Sequence, residues 1–232
     1  MPQQPPPVQG AVYGVVLNDR ASLARLGAAV REAPYKGEPK APVLYIKPAN
    51  TLVGEGAEVR LPAGADRVEI GATVGIVIGA PAARLDAATA LQAVAGYVLV
   101  ADLSLPHASY YRPAIREKCF DGACPMAAAI VPAAPARPAG LAPAELYATT
   151  LRTFVDEAPA GERTLADLVR DVPRLLADVT EFMTLRVGDV LLLGVQYQAP
   201  QAGAGTRVRI EGGRLGSLSF AIAPSPAREQ RP

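Results

Sequence analysis

The side chains that most often carry out catalysis or bind metal ions are scarce in this sequence. His107 is its only histidine, and Cys119 and Cys124 are its only cysteines. These side chains cannot complete the usual four-ligand zinc site, and a histidine without a partner makes no nucleophile–base pair. We therefore expect two reduced cysteines, and a His107 that lies in a solvent-facing loop more readily than at the mouth of a pocket.

Arg112 offers a different chemistry. It lies in the segment YYRPAI, at residues 110–115. Its planar guanidinium group can hold a carboxylate through two parallel hydrogen bonds, as would suit a substrate with several carboxylates. An ion pair that fastens the loop would use the same geometry. Both interpretations of Arg112 stay open at this point.

Length and composition indicate one folded domain. The chain has 232 residues, of which 50% are hydrophobic, and a formal net charge of +1 at pH 7. This length can bury one substantial core, and this charge gives no electrostatic reason to bind nucleic acid or an anionic membrane. The first residues lack the pattern of a signal peptide, and every apolar run is interrupted. We expect a cytoplasmic protein with a disordered Pro-rich tail at residues 1–10, a single domain at 11–222 and a flexible tail at 223–232.

The apolar patterns predict a domain rich in strands. Runs of β-branched residues indicate strands, whereas helical spacing and capping residues indicate helices. The predicted strands are residues 11–17, 43–46, 68–78, 96–103, 144–155 and 190–193, with a closing hairpin at 208–221 around Gly212 and Gly213. Three helices are predicted. The first begins after residues 18–19 and reaches residue 30, and the other two cover residues 86–95 and 164–182. This mixture indicates a β-rich α+β fold.

Short motifs along the chain are more specific. They read KPANTLVG (47–54), VIG (77–79), AGY (95–97), ADLS (101–104), KCFD (118–121) and GDVLLLG (188–194). Because these motifs follow the order found in the fumarylacetoacetate hydrolase family, the chain resembles that family over most of residues 11–222. The segments PYK (34–36), GATV (71–74), SLP (104–106), YYRPAI (110–115) and EFMTL (181–185) look like the N-terminal half, or a separate N-terminal subunit, of the isomerase/decarboxylases of 4-hydroxyphenylacetate (homoprotocatechuate) breakdown.

The resemblance implies a flattened β-roll with peripheral helices that assembles with a like domain or with a homologous C-terminal-type subunit. Typical members hold Mg²⁺ or Mn²⁺ with a Glu-x-Glu pair on one strand and an Asp on a later strand, since hard cations prefer carboxylate oxygens. The positions of the pair hold Gly71 and Thr73 here, and only Asp102 remains of the set. We therefore expect no metal cofactor in this chain. The first helix also lacks the family's His and Glu, with Asp19 and Arg20 as the charged substitutes.

The remaining polar residues take their expected roles from the same resemblance. Lys118 and Asp102 are the expected catalytic residues, with Lys118 stabilising a developing enolate. Arg112, Lys47 and Asn50 are expected to bind substrate. Gln196 is also expected to bind substrate, as a replacement for a polar contact of the family's Gly-Thr-Pro turn.

Two functions remain open from the sequence. In the first, the chain is a subunit of the pathway enzyme and decarboxylates 5-oxopent-3-ene-1,2,5-tricarboxylate or isomerises 2-hydroxyhepta-2,4-diene-1,7-dioate, through an enolate-type intermediate. In the second, it is a non-catalytic partner that completes the assembly of a homologous metal-bearing subunit. The missing ligands favour the second for an isolated chain, whereas the GATV segment matches the pathway's N-terminal subunit.

Overall fold

Two long antiparallel strands form the centre of the molecule. A computed structural model of the chain describes residues 3–33, 36–107, 114–134 and 139–224. The central strands, Arg67–Ile78 and Val94–Ser104, pair with each other so that Gly71 lies opposite Asp102. Nearly all of their residues are buried. Strands covered on both faces read as continuous apolar runs, which explains why the sequence predicted them well.

The strands follow one another along the chain as β1 to β14. They are β1 (Val12–Val16), β2 (Val43–Lys47), β3 (Leu52–Val53), β4 (Glu58–Arg60), β5 (Arg67–Ile78), β6 (Val94–Ser104), β7 (Cys124–Pro125), β8 (Val131–Pro132), β9 (Thr150–Val155), β10 (Ala158–Thr164), β11 (Val190–Leu192), β12 (Gln201–Gly203), β13 (Arg207–Glu211) and β14 (Ser217–Ala223). The α-helices are α1 (Arg20–Leu26), α2 (Ile115–Lys118), α3 (Pro143–Tyr147) and α4 (Val172–Thr180).

Two sheets enclose the main core. Within the described residues, the larger sheet has the order β2-β1-β11-β5-β6-β8, and β12 adds to β5. The second sheet has the order β10-β9-β13-β14-β4, and β3 pairs with β7. The main hydrophobic cluster joins side chains of both sheets, for example Ile70 and Val74 with Leu151 and Phe220. The β-rich α+β fold predicted from the sequence is therefore confirmed.

The predicted helices are only partly correct. Helix α1 begins where predicted, because the Asp19 carboxylate accepts a hydrogen bond of 2.8 Å from the Ser22 amide. The helix predicted at residues 86–95 is wrong: the segment consists of turns and a 3₁₀ segment, Ala90–Ala93, because the chain from Val94 onward joins β6. Among the described residues, no helix is long and apolar enough to cross a membrane.

Two further elements begin later than predicted. The helix predicted at residues 164–182 is wrong over its first part, since Thr164 still pairs with Thr150 in the sheet and α4 begins only after its cap, Asp171. The strand predicted at residues 144–155 is likewise wrong over its first part. There the proline of α3 lies in the first helical turn, where its missing N–H costs nothing.

The N-terminal segment is packed against the body of the protein, in contrast to the disordered tail that its composition predicts. The Gln4 amide donates to the Glu55 carbonyl at 2.9 Å, and Val8 is only 4% exposed. Gly54 permits this contact, because a Cβ atom there would lie 2.7 Å from the Pro5 carbonyl oxygen. Of the predicted C-terminal tail, residues 225–232 lie outside the described residues.

Candidate active site

A buried carboxylate on β6, Asp102, is the centre of a cluster of charged and polar side chains around the larger sheet. Lys47 Nζ lies 2.6 Å from Asp102 Oδ1, and Lys118 Nζ lies 3.3 Å from Asp102 Oδ2. The Tyr45 hydroxyl donates a hydrogen bond to the same Oδ2. Asp102 and Lys47 are each 1% exposed, and Lys118 is 4% exposed. The structure therefore brings together three of the residues singled out in the sequence and adds Tyr45.

Three elements position these side chains. Tyr45 and Lys47 lie two residues apart on β2, so both point to the same face of the strand. Lys118 is the last residue of α2, and its ammonium group lies 4.5 Å from the centre of the Tyr45 ring. Gly14 lies opposite Tyr45 on β1, and a Cβ atom at Gly14 would overlap the ring. The tyrosine can lie flat in the site because its neighbour has no side chain.

Lys47 is held in place by the backbone around it. Its Nζ donates to the carbonyl oxygens of Leu103, Lys118 and Ala123 at 2.7, 2.8 and 3.0 Å. An ammonium group has three protons, so its contact with Asp102 is an ion pair rather than a further hydrogen bond. No proton of Lys47 is left for a substrate. Its position indicates a fixed counter-charge instead of the substrate contact that the resemblance implied.

The charges of the cluster influence one another strongly. Burial alone would raise the pKa of Asp102, but the charges of Lys118 and Lys47, the close contact with the Lys47 ammonium group and the hydrogen bond from Tyr45 hold the pKa below its usual value. Burial lowers the pKa of Lys118, and the nearby Lys47 charge adds to this, while Asp102 opposes it. Two ammonium groups face one buried carboxylate, and the charge of the half-buried Glu69 also acts on Lys118. Within the buried cluster itself positive charge is in excess, which suits it to an anion.

Lys118 and Tyr45 also line a small cavity. Its other walls are mostly apolar and come from β1 and from the loop after β11: Val16, Leu17, Val195 and Tyr197. Charges act more strongly on each other beside apolar walls than in water. The cavity has about 10 Å³ of free space, enough for one water molecule, so a larger bound molecule would have to displace its walls. The Lys118 ammonium group would then lie beside that molecule and could stabilise negative charge that develops on it.

The strand opposite Asp102 is closed off by the loop after β11. A Cβ atom at Gly71 would lie 2.6 Å from both the Asp102 carbonyl oxygen and Val195 Cγ1. Thr73 Oγ1 donates to the Gly194 carbonyl at 2.5 Å. Arg163 Nη1 donates to the same Gly194 carbonyl and, at 3.0 Å, to the carbonyl of Ala72. This side of the site is therefore filled by the Val195 side chain, the Gly194 carbonyl and the Arg163 guanidinium group.

Comparison with known proteins decides the family. The profile described as "Fumarylacetoacetate (FAA) hydrolase C-terminal" matches residues 11–223. The chain belongs to the fumarylacetoacetate hydrolase family. A relative within it, the 4-hydroxyphenylacetate degradation bifunctional isomerase/decarboxylase of Escherichia coli, is 36% identical over 88% of this chain and 44% of its own length. The chain thus spans less than half of that relative.

Solved structures of other proteins share the fold. The 5-carboxymethyl-2-hydroxymuconate delta-isomerase of Mycobacterium smegmatis has a TM-score of 0.76 and 26% identity, covering 95% of this chain and 81% of its own. The fumarylpyruvate hydrolase of Pseudomonas aeruginosa, determined in complex with Mn²⁺ and pyruvate, has a TM-score of 0.75 and 20% identity, covering 96% and 92%. The second likeness concerns the fold alone.

The metal ion implied by the family does not fit the residues present in this chain. At the two positions where the resemblance places the Glu-x-Glu pair, Gly71 has no room for a side chain and the Thr73 hydroxyl donates to the Gly194 carbonyl. Both oxygens of Asp102 already face ammonium groups. The described part of the chain contains no group of three or more His, Cys, Asp or Glu side chains that could hold a metal ion.

The other residues predicted from the sequence lie elsewhere. Asn50 Nδ2 donates to Asp121 Oδ1 at 2.7 Å and to the Cys119 carbonyl at 3.0 Å, and so ties down the turn after α2. Gln196 lines a separate small cleft together with Arg163. Arg112 lies outside the described residues. The His107 ring contacts the Leu105 carbonyl, with 3.0 Å between Nδ1 and the oxygen.

Two functional candidates were missed by sequence reasoning. Tyr45 had a usable signal, since it lies two residues before Lys47 on a predicted strand and must share its face. The sequence gives no such signal for Arg163. The residues after it were expected to form a helix, and nothing in the sequence indicates that its side chain reaches β5. Only the pairing of β10 with β9 places it there.

Proposed function

We propose that this chain is a subunit of a 4-hydroxyphenylacetate catabolic isomerase/decarboxylase. It would act on 5-oxopent-3-ene-1,2,5-tricarboxylate or on 2-hydroxyhepta-2,4-diene-1,7-dioate, through an enolate-type intermediate. The observation that carries the proposal is the buried Asp102 cluster, whose excess positive charge borders an apolar cavity. The 36% identity to the bifunctional isomerase/decarboxylase over 88% of the chain supports the choice of substrates.

Each residue of the cluster can take a separate role in the reaction. In decarboxylation, the bond to the departing carboxylate breaks, carbon dioxide leaves, and the electron pair stays on the substrate as a dienolate. The Lys118 ammonium group would stabilise the enolate oxygen. Tyr45, whose hydroxyl is already hydrogen-bonded to Asp102, would give a proton to the carbon and later regain one from solvent. Asp102 would orient both groups, and Lys47 would hold Asp102.

A second function has its own support. The closed ligand positions beside Gly71 and Thr73 favour a chain that completes the assembly of a homologous metal-bearing subunit. In this case the Asp102 cluster would be structural. The two functions predict different behaviour of the isolated chain.

Turnover of both substrates by the purified chain, alone and mixed with a homologous metal-bearing subunit, separates the two functions. We expect Lys118→Met to lower turnover by the chain alone roughly 100-fold or more, the usual cost of losing one preorganised electrostatic group. Tyr45→Phe should also lower turnover, since it removes the proton to be transferred. Lys40→Met, at an exposed lysine, is the matched control and should leave turnover unchanged. Turnover that requires the partner and does not respond to Lys118→Met would establish the second function.

A further inference from the structure

Arg163 is an arginine in an unusual place. It belongs to β10 in the second sheet, yet its side chain crosses to the larger sheet and is only 4% exposed. Its Nη1 binds the carbonyls of Ala72 and Gly194, and the latter oxygen also accepts the Thr73 hydroxyl. Because the guanidinium and the hydroxyl share one acceptor, they are neighbours. The positive charge thus lies beside the strand that carries the two lost ligand positions.

The charge of Arg163 is only partly balanced. Burial lowers its pKa, while the nearby Asp19 and Asp167 oppose this. Nε and Nη2 of Arg163, which form the edge that usually binds a carboxylate, are buried without a hydrogen-bond partner in the protein, as are Asp19 Oδ2 and Asp167 Oδ1. Ordered water between these atoms would satisfy them at low cost. A buried guanidinium remains protonated, so the strand has a permanent cation beside it.

We propose that Arg163 is a built-in replacement for the divalent cation: a fixed positive charge that ties β5 to the loop at Gly194 and keeps Mg²⁺ or Mn²⁺ out of the site. A metal ion at this place would meet a like charge in a poorly screened interior. It would also find no carboxylate at position 71 or 73. The proposal holds whichever of the two functions the chain performs.

The position of Arg163 makes a specific prediction about Thr73. A glutamate at this position would place its carboxylate beside the guanidinium group and pair with it, so restoring one family ligand alone should not create a metal site. Removing the guanidinium as well would leave the carboxylate of Thr73→Glu unpaired on the strand that faces Asp102. A divalent cation held by both carboxylates would then have to displace the Lys118 ammonium group, whose contact with Asp102, at 3.3 Å, is the longer of the two lysine contacts. Only then should a divalent cation find a place.

The test is the response of the melting temperature to Mn²⁺ in Thr73→Glu, Arg163→Met, and the double variant that combines them, with calorimetry of the wild type. Wild type and Thr73→Glu should not respond, whereas Mn²⁺ should raise the melting temperature of the double variant by several degrees, since a ligand bound only by the folded state stabilises it. Thr73→Gln combined with Arg163→Met is the matched control without the carboxylate. Arg152→Met, at an exposed arginine on β9, controls for loss of an arginine.

Two results would overturn the proposal. One is a wild-type chain, or Thr73→Glu, that Mn²⁺ stabilises as much as the double variant, because Arg163 would then not exclude the cation. The other is a double variant that responds no more than its Thr73→Gln control. If Arg163→Met prevents folding, the wild type and Thr73→Glu still decide: Mn²⁺ bound by either of them tighter than roughly micromolar, the range of well-formed carboxylate sites, contradicts the proposal.

Discussion

The two sides of the candidate site differ in opposite ways from the metal site that the resemblance to the family implies. Around Asp102 the carboxylate is present, and Lys47 and Lys118 neutralise it. On the facing strand the carboxylates are absent, and the loop at Gly194, Val195 and the Arg163 guanidinium fill the space. The comparison shows that protein groups in this chain both supply positive charge and fill volume where a metal ion and its carboxylates would lie. A site that had merely lost its ligands would leave an empty, negatively charged pocket around Asp102.

The largest effect is expected on the Asp102 side. Asp102→Asn leaves two buried ammonium groups without their counter-charge, and we expect the free energy of unfolding to fall by about 3–5 kcal/mol. Asp66→Asn, at a carboxylate that is 79% exposed, is the matched control and should leave it almost unchanged. Urea unfolding near neutral pH measures both. A small loss in Asp102→Asn would mean that the lysines are balanced elsewhere.

The pH dependence of the unfolding free energy of wild type and Asp102→Asn sharpens the comparison between the two sides of the site. The pKa of Asp102 lies below its usual value, so the ionised carboxylate stabilises the folded state above the unfolded pKa of roughly 3.9. That stability is lost as the pH falls through the lower, folded value. The difference in unfolding free energy between wild type and Asp102→Asn should therefore shrink on acidification below about pH 4. A difference that stays constant would show that protonation of Asp102 does not contribute to acid unfolding.

Much of the fold could be predicted from the sequence, but only part of the difference between the two sides of the site. β5 and β6 were predictable because a strand buried on both faces is a long β-branched run. The segment at residues 164–182 was not, because helical spacing there competes with the pairing of Thr164 in the sheet. Gly71 and Thr73 revealed the missing ligands. What fills their place depends on Val195 and Arg163, which reach the strand only through tertiary packing.

A smaller effect is expected on the facing strand. In Gly71→Ala the added methyl group would lie 2.6 Å from the Asp102 carbonyl oxygen and from Val195 Cγ1, so we expect a loss of about 1–3 kcal/mol. Adding Val195→Ala should recover part of it, because one of the two obstacles is then removed. Thermal unfolding of the single and double variants checks this. An unchanged stability in Gly71→Ala would show that the loop at Val195 moves freely.

The same geometry limits any attempt to restore the family's carboxylates. Gly71→Glu together with Thr73→Glu would supply the two missing ligands on one strand face. The first of these side chains, however, has no space beside Val195, and the second lies next to Arg163. Restoring both carboxylates together therefore requires changes in the loop and at Arg163 as well as on the strand.

The most direct measurement is turnover of the purified chain after its metal ions are removed with a chelator, on each of the two proposed substrates. If fixed protein cations have replaced the divalent cation, turnover should be the same before and after chelation, should not rise on addition of Mg²⁺ or Mn²⁺, and should depend on Lys118. Turnover that disappears on chelation and returns with either metal ion would contradict the account.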